Sequence, residues 1–281
     1  MTDLYWLASY PKSGNTWVRL LLQSYTAGGT AVNINALTVG GGRGDERAQF
    51  DEFIGVPAAD LTNAEILAWY PFAFGQWARQ LNETLYFKTH NICSATSITG
   101  AASLADLVRG AVYLVRDPRD VALSFARHIG RGVDEAIKIM GTPGKQMGRS
   151  QQTLRPRLLE VFGSWSENVE GWLDHAPFPV HLLPYESLRA DPRTALTGLV
   201  AALGLPVDPL AVEAAVAATD LAELRRQEAA VGFAEWRGVG GFFGQGRVRG
   251  WRDRLTPAQV AQIEADHGPM MRRLGYLPAD H

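Results

Sequence analysis

The stretch Leu4 to Tyr25, LYWLASYPKSGNTWVRLLLQSY, decides the reading of this chain. A short apolar run enters Tyr10-Pro11-Lys12-Ser13-Gly14-Asn15-Thr16-Trp17, and an apolar-periodic helix follows at once. Strand, tight turn and helix aim backbone N–H groups at an anion, with the positive end of the helix dipole behind them. Lys12 adds a mobile cation, Ser13 and Thr16 add hydroxyls, and Gly14 lets the backbone approach a ligand closely. The turn is built to hold a phosphate. The common nucleotide loop, G-x-x-x-x-G-K followed by Ser or Thr, places its lysine late. Here Lys12 comes first, the leading glycine is missing, and Trp17 stands just inside the helix.

Three further stretches fall in order behind it. Leu85 to Asn91, LYFKTHN, delivers Lys88, Thr89 and His90 to the end of a β-type run. Residues two apart on a strand share a face, so Lys88 and His90 point the same way. Ala111 to Ile129, AVYLVRDPRDVALSFARHI, is a buried-type strand, then Arg116, then a helix opened by Asp117-Pro118. Proline at a first helical position behind an aspartate is a start signal. Arg116 and Ser124 can then converge on one anion. Phe242 to Thr256, FFGQGRVRGWRDRLT, is a glycine- and arginine-rich segment.

Together these stretches resemble the sulfotransferases that use 3′-phosphoadenosine 5′-phosphosulfate (PAPS), of the cytosolic type and nearest its bacterial members. YPKSGNTW is similar to the family's 5′-phosphosulfate loop. The resemblance implies that Lys12, Ser13, Gly14, Asn15, Thr16 and Trp17 bind the nucleotide, and that Arg116 and Ser124 hold its 3′-phosphate. It makes His90, in the family's K-T-H motif, the catalytic base, with Lys12, Lys88 and Ser124 completing the catalytic set. GSWSENVEGW, Gly163 to Trp172, resembles the family's S-W-x-x-H-V helix start, with Asn168 in place of histidine. Tyr185, in Pro184-Tyr185-Glu186, and Thr219 resemble family residues beside the adenine. Phe242, Phe243, Gln245, Gly246 and Arg247 fall in the segment that resembles R-K-G-x-x-G-D-W-K-x-x-F-T.

That last segment departs from the pattern. Gly244-Gln245 stands where relatives carry Arg-Lys, a pair that helps hold the 3′-phosphate, and Gly250 replaces an aspartate. Arg247 and Arg249 are the sequence neighbours expected to substitute.

The resemblance implies PAPS as co-substrate, 3′-phosphoadenosine 5′-phosphate (PAP) as product, and no metal. It implies in-line transfer of the sulfuryl group to a hydroxyl of a small molecule: a phenol, an alcohol or a natural product. The alternative class is a nucleotide kinase of the related phosphate-loop fold, which the early Lys12 and missing glycine oppose. A K-x-x-x-T-V-x-x-x-E dimer motif found in many relatives reads Arg252, Thr256, Pro257 and Ala261 here, so a homodimer stays an open alternative.

Composition sets the frame. The 281 residues carry 27 Lys and Arg against 29 Asp and Glu, a net charge of −2, so bulk charge recruits neither nucleic acid nor membrane. Hydrophobic residues at 46% and charged ones at 20% fit an ordinary globular protein. No apolar run approaches the roughly 20 residues of a membrane helix. The start lacks the basic region of a signal peptide, and the single cysteine, Cys93, fits a reducing compartment, so a cytoplasmic enzyme is expected.

Strands at Leu4–Ser9, Leu85–Lys88, Ala111–Val115 and Val180–Leu183 alternate with helical patterns, which argues a parallel sheet flanked by helices on both faces. Helices are expected at Asn15–Tyr25, Asn63–Leu81, Pro118–Ile129, Leu158–Asp174, Pro192–Leu203, Pro209–Ala218 and Pro257–Arg273. Gly28–Pro57, Gly130–Arg155 (with a short helix at Val133–Met140) and Val231–Gly250 read as long loops, the first two as acceptor-site walls and the last as a cap over the nucleotide. Trp69, Tyr70, Phe72, Phe74 and Trp77 are candidates for the acceptor pocket or the core. Residues 1–281 read as a single domain.

Overall fold

The computed structural model describes residues 2–41, 44–147, 156–236, 238–244 and 246–279. Along the chain run β1 (Asp3–Ser9), α1 (Asn15–Thr26), α2 (Arg47–Ile54), α3 (Asn63–Leu81), β2 (Thr84–Thr89), β3 (Val108–Val115), α4 (Pro118–Ile129) and α5 (Val133–Met140). Then follow β4 (Gln146–Met147), β5 (Glu160–Val161), α6 (Trp165–Asp174), β6 (Val180–Pro184), α7 (Tyr185–Ala190), α8 (Pro192–Ala202), α9 (Pro209–Ala218), α10 (Leu221–Val231) and α11 (Pro257–Arg273).

The central sheet is parallel and four-stranded, in the order β2-β1-β3-β6. In β1 the run from Trp6 to Ser9 is buried throughout, the pattern of a strand covered on both faces. The chain leaves β1 for β2 on one side and returns to β3 on the other. Such a reversal opens a crevice at the carboxyl ends of the strands, where open α/β sheets bind ligands. The turn after β1 and Arg116 after β3 stand at the carboxyl ends of neighbouring strands.

The chain forms two compact units. One gathers Met1–Tyr10, Gly40–Tyr113 and Pro143–His181. Its core is aromatic: Trp6 stacks on Phe74 at 5.3 Å between ring centroids, and Phe87 meets Phe74 edge-on at 5.0 Å. Tyr70 and Trp77 pack into the same cluster and are buried, whereas Trp69 and Phe72 are exposed. Core packing thus accounts for Tyr70, Phe74 and Trp77. A Thr62–Glu65 capping box starts α3, and Asn82 ends it in the left-handed region.

The second unit gathers Pro11–Val39, Leu114–Thr142 and Leu182–His281. Leu20, Val32, Ile34, Leu224, Phe233 and Phe243 form a core there, flanked by Trp17, Leu37, Leu221, Trp236 and Phe242. Among its described residues, segment 231–250, expected as a loop, carries no strand after α10 ends at Val231 and reaches a helical turn only at Gly250; Phe233 and Phe243 anchor it in this apolar cluster.

Several expectations are corrected. The helix expected from Leu158 begins only at Trp165. Ser164 and Glu167 form a capping box, Gly163 turns the chain at a φ of 66°, and Glu160–Val161 pairs instead with Gln146–Met147. The loop expected over Gly28–Pro57 contains α2, a helix of two turns whose period is too short to register. The short helices α7 and α10, and the paired dipeptides β4 and β5, were not expected. The end of the Gly130–Arg155 loop, residues 148–155, lies outside the described residues, as do Gly42 and Gln245.

Candidate active site

The turn after β1 has the features of an anion cradle. Gly14 caps α1 in the left-handed region, with φ 108°, and no side chain caps the helix. The first turn of α1 holds no acidic residue, so its positive end is not neutralised from within. The amides of Trp17 and Val18 both turn back to the Gly14 carbonyl, at 3.0 and 3.3 Å. Ser13 is fully buried, and its hydroxyl has no protein partner. A Cβ on Gly14 would come within 2.7 Å of the Tyr185 ring, so glycine is needed for space as well as for φ. Lys12 is also left-handed, with φ 70°, at a cost on the order of 1 kcal/mol. Its ammonium lies over Trp236 at 4.4 Å and Phe242 at 4.2 Å from the ring centroids.

Arg116 fastens this turn from the end of β3. Its guanidinium donates to the Lys12 carbonyl at 3.4 Å and to the Arg247 carbonyl at 3.1 Å, and lies 4.3 Å over the Tyr185 ring. Its buried Nε has no partner. Asp120, in the first turn of α4, accepts the amides of Arg249 and Trp251 at 2.8 and 2.9 Å, holding the end of the glycine-rich segment. Burial pushes the Asp120 carboxyl up, and Arg116 works against that rise. Ser124 is half-buried on the same helix.

The candidate adenine residues also meet. The Trp17 indole donates to the Thr219 carbonyl at 3.1 Å and meets Tyr185 edge-on at 6.3 Å. Arg189, which was not expected here, lies over the Trp17 ring at 5.4 Å. Thr219 is buried and spends its hydroxyl on the Ala215 carbonyl at 2.8 Å, so its carbonyl faces Trp17. Gly246 is seated against Leu221, Tyr185 and Arg189. Phe243 belongs to the core, while Phe242 receives Lys12. Arg247 meets Arg116 through its carbonyl, and its side chain and that of Arg249 are exposed.

Other arginines are committed elsewhere. Arg119 is buried between Asp117 and Glu264, each 2.8 Å away, and Arg109 pairs with Asp3 at 2.6 Å. Both are structural.

The histidine belongs to the first unit. His90 follows β2 directly, and its Nδ1 lies 2.8 Å from the Ser9 carbonyl and 3.3 Å from the Ser9 hydroxyl. A carbonyl oxygen only accepts, so Nδ1 carries the hydrogen and the lone pair of the neutral ring sits on Nε2. Ser9 was not singled out in the sequence, because its bond to His90 spans 81 positions. Lys88 pairs in register with Leu7, and its amide donates to the Gly40 carbonyl at 3.2 Å. Burial raises the nearby Asp45 carboxyl, while Arg157 and Lys88 draw it down.

A buried polar network fixes the end of β2. Asn168 donates to the His90 carbonyl at 3.0 Å and to the Phe162 carbonyl at 2.9 Å, and accepts the Tyr113 hydroxyl at 2.9 Å. Asn168 takes the place of a histidine in the resembling motif, and here it holds the backbone of His90. Asn91 accepts the Val161 amide at 2.7 Å, and its carbonyl accepts the Trp172 indole at 2.9 Å. Cys93 is buried, and burial pushes its thiol up to about 11, which leaves it inert.

With this geometry in hand, the comparisons are specific. A family model described as the sulfotransferase domain matches residues 2–275. Sulfotransferase 1A1 of Bos taurus is 26% identical over 274 residues, covering 94% of this chain and 82% of that protein. Its counterpart in Canis lupus familiaris is 25% identical over 279 residues, covering 96% and 83%. Among solved structures, mouse sulfotransferase SULT7A1 complexed with PAP superposes with a TM-score of 0.62 at 18% identity, over 98% of this chain and 85% of that one. Retinol dehydratase in complex with androsterone and inactive cofactor PAP gives 0.59 at 18% identity, over 99% and 82%. These structural likenesses are likenesses of fold.

Proposed function

The chain belongs to the sulfotransferase-domain family, and we propose that it moves the sulfuryl group of PAPS to a hydroxyl of a small-molecule acceptor, with residues 1–281 working as one catalytic domain. The observation that carries this reading is the Arg116 bridge. One guanidinium ties the phosphate-type turn, through the Lys12 carbonyl, to the Arg247 carbonyl and the Tyr185 ring. A nucleotide with phosphates at both its 5′ and 3′ positions calls for a second cation site beside the first loop, and an ordinary nucleotide triphosphate does not.

The residues present fit such a ligand. The buried Ser13 hydroxyl and the buried Arg116 Nε have no protein partner, and polar groups so placed favour an anionic ligand. The amides of the Ser13–Thr16 turn and the Thr16 hydroxyl would hold the 5′-phosphate. Arg116 and Ser124 would hold the 3′-phosphate, with Trp17, Tyr185 and Thr219 around the base. Gly246 and the segment from Phe242 to Arg247 would close over the nucleotide.

PAPS supplies an activated sulfuryl group. Transfer between oxygens needs in-line placement, a deprotonated acceptor and neutralised charge on the leaving phosphate. The Ser9 carbonyl supports His90 as the base, because it fixes the tautomer whose Nε2 takes the acceptor proton. Lys12, three residues after Ser9 in the chain, would neutralise the oxygen left on the 5′-phosphate. Its ammonium lies over the Trp236 and Phe242 rings. Lys88, near the end of β2 and two residues before His90, would hold non-bridging sulfuryl oxygens.

A hydroxyl-bearing small molecule as acceptor accords with androsterone and retinol, the compounds in the retinol dehydratase complexes. The kinase alternative is not favoured by the family assignment. The test is a transfer assay with PAPS and a panel of phenols and alcohols, following PAP release. We expect acceptor-dependent release without added magnesium. Transfer of phosphate from ATP, with none of sulfuryl from PAPS, would overturn the reading.

A further inference from the structure

The family resemblance leaves a gap in the cation set: Gly244-Gln245 stands where relatives carry Arg-Lys. The geometry points to Arg127 of α4 as the residue that fills it, and we propose that Arg127 is a ligand of the nucleotide's 3′-phosphate. This inference rests on the PAPS reading above.

Three observations bring Arg127 to that place. It lies three residues after Ser124 on α4, so the two share a helix face one turn apart. Its guanidinium reaches into the glycine-rich segment: Nη2 donates to the Gly241 carbonyl at 3.1 Å, and the Arg127 carbonyl accepts the Val239 amide at 3.1 Å. A Cβ built on Gly244 would stand 3.1 Å from Arg127 Nη1. The guanidinium therefore sits where a side chain at position 244 would start. The helix supplies the cation that the loop has lost, and the glycine makes room for it.

The electrostatics ask for an anion. The buried Nε of Arg127 has no hydrogen-bond partner, and among the described residues no carboxylate forms an ion pair with it. Burial first, then Arg254 and Arg116, push the guanidinium below its ordinary value, and Glu228 alone works the other way. The Glu228 carboxylate is itself engaged by the Phe242 and Phe243 amides. A half-buried guanidinium whose Nε has no protein partner is stabilised most by a multiply charged anion with several acceptor oxygens, which a phosphate is. Arg247 and Arg249, the substitutes expected from sequence, keep exposed side chains and serve through their backbones.

The experiment compares two ligands that differ only in the 3′-phosphate, 3′,5′-adenosine bisphosphate and 5′-AMP, by calorimetric titration. In the unaltered protein the bisphosphate should bind more tightly, and equal affinities would overturn the PAPS reading itself. Arg127→Gln keeps an N–H donor for the Gly241 carbonyl while removing the charge. It should weaken the bisphosphate by about 10- to 100-fold and 5′-AMP by less than about twofold. Arg127→Ala with Gly244→Arg restores a cation from the loop side and should recover most of the preference. A bisphosphate-to-AMP ratio unchanged in Arg127→Gln would overturn the proposal, whether both affinities fall together or neither moves.

Discussion

A single carbonyl does much to define the histidine. The Ser9 oxygen 2.8 Å from His90 Nδ1 selects one tautomer, and the carbonyl of His90 is itself held by Asn168. His90 is thereby held by two elements of its own unit, at the ring by Ser9 and at the backbone by Asn168, the orientation that the proposed role of general base requires. Replacing His90 with alanine should lower turnover by at least about 100-fold while bisphosphate affinity stays within about twofold, measured by steady-state kinetics and calorimetry. Near-normal turnover would remove His90 from the role. At this scale His90, Lys12 and Arg116 could be named as candidates because each sits inside a short motif. Ser9 and Arg127 were not, since their decisive partners stand 81 and 114 positions away. Thr219, named as an adenine neighbour, accepts the Trp17 indole through its carbonyl, a contact that a residue type alone does not reveal.

Among the elements, α1 and α4 carry the binding argument, and their boundaries were readable from local chemistry. Asp117 caps α4 through the Arg119 amide with Pro118 at its first position, the start signal visible in the sequence. The start of α6 was misread, because the apolar run from Leu158 continues a helical period that the Ser164–Glu167 capping box interrupts. Helix α11 contributes a pH dependence. His267 is buried on it, and burial pushes the imidazole down to about 4, with Asp266 partly opposing. Its pKa is depressed on folding, so between pH 6.5 and about 4 the unfolded chain takes a proton that the native chain refuses. Stability contributed at neutral pH is lost as pH falls through that window, by about 3 kcal/mol at most. Urea unfolding at pH 7 and 4.5 should show a smaller acid loss in His267→Gln than in the unaltered protein. Identical losses would assign the acid sensitivity elsewhere.

For the whole molecule, the balance of charge and its distribution tell different stories. A net charge of −2 gives no bulk attraction for an anion, yet within one unit the charges of Arg254 and Arg116 both bear on the Arg127 guanidinium. A local cationic field inside an acidic protein focuses a small polyanion rather than a long one. Among the described residues no helix is long and apolar enough to cross a membrane. The parallel sheet was legible because its strands are buried runs separated by helical periods, and those patterns are local. The division into two compact units was not, because each unit draws on three separated stretches of chain. On the proposed reading this chain binds a nucleotide by two phosphates, one in the Lys12–Thr16 turn and one at Arg116. The decisive measurement is calorimetric titration with 3′,5′-adenosine bisphosphate in the absence of magnesium, with ATP as the comparison. Tight bisphosphate binding that weakens in Arg116→Ala is expected, with much weaker binding of ATP. Magnesium-dependent ATP binding with no bisphosphate binding would contradict it.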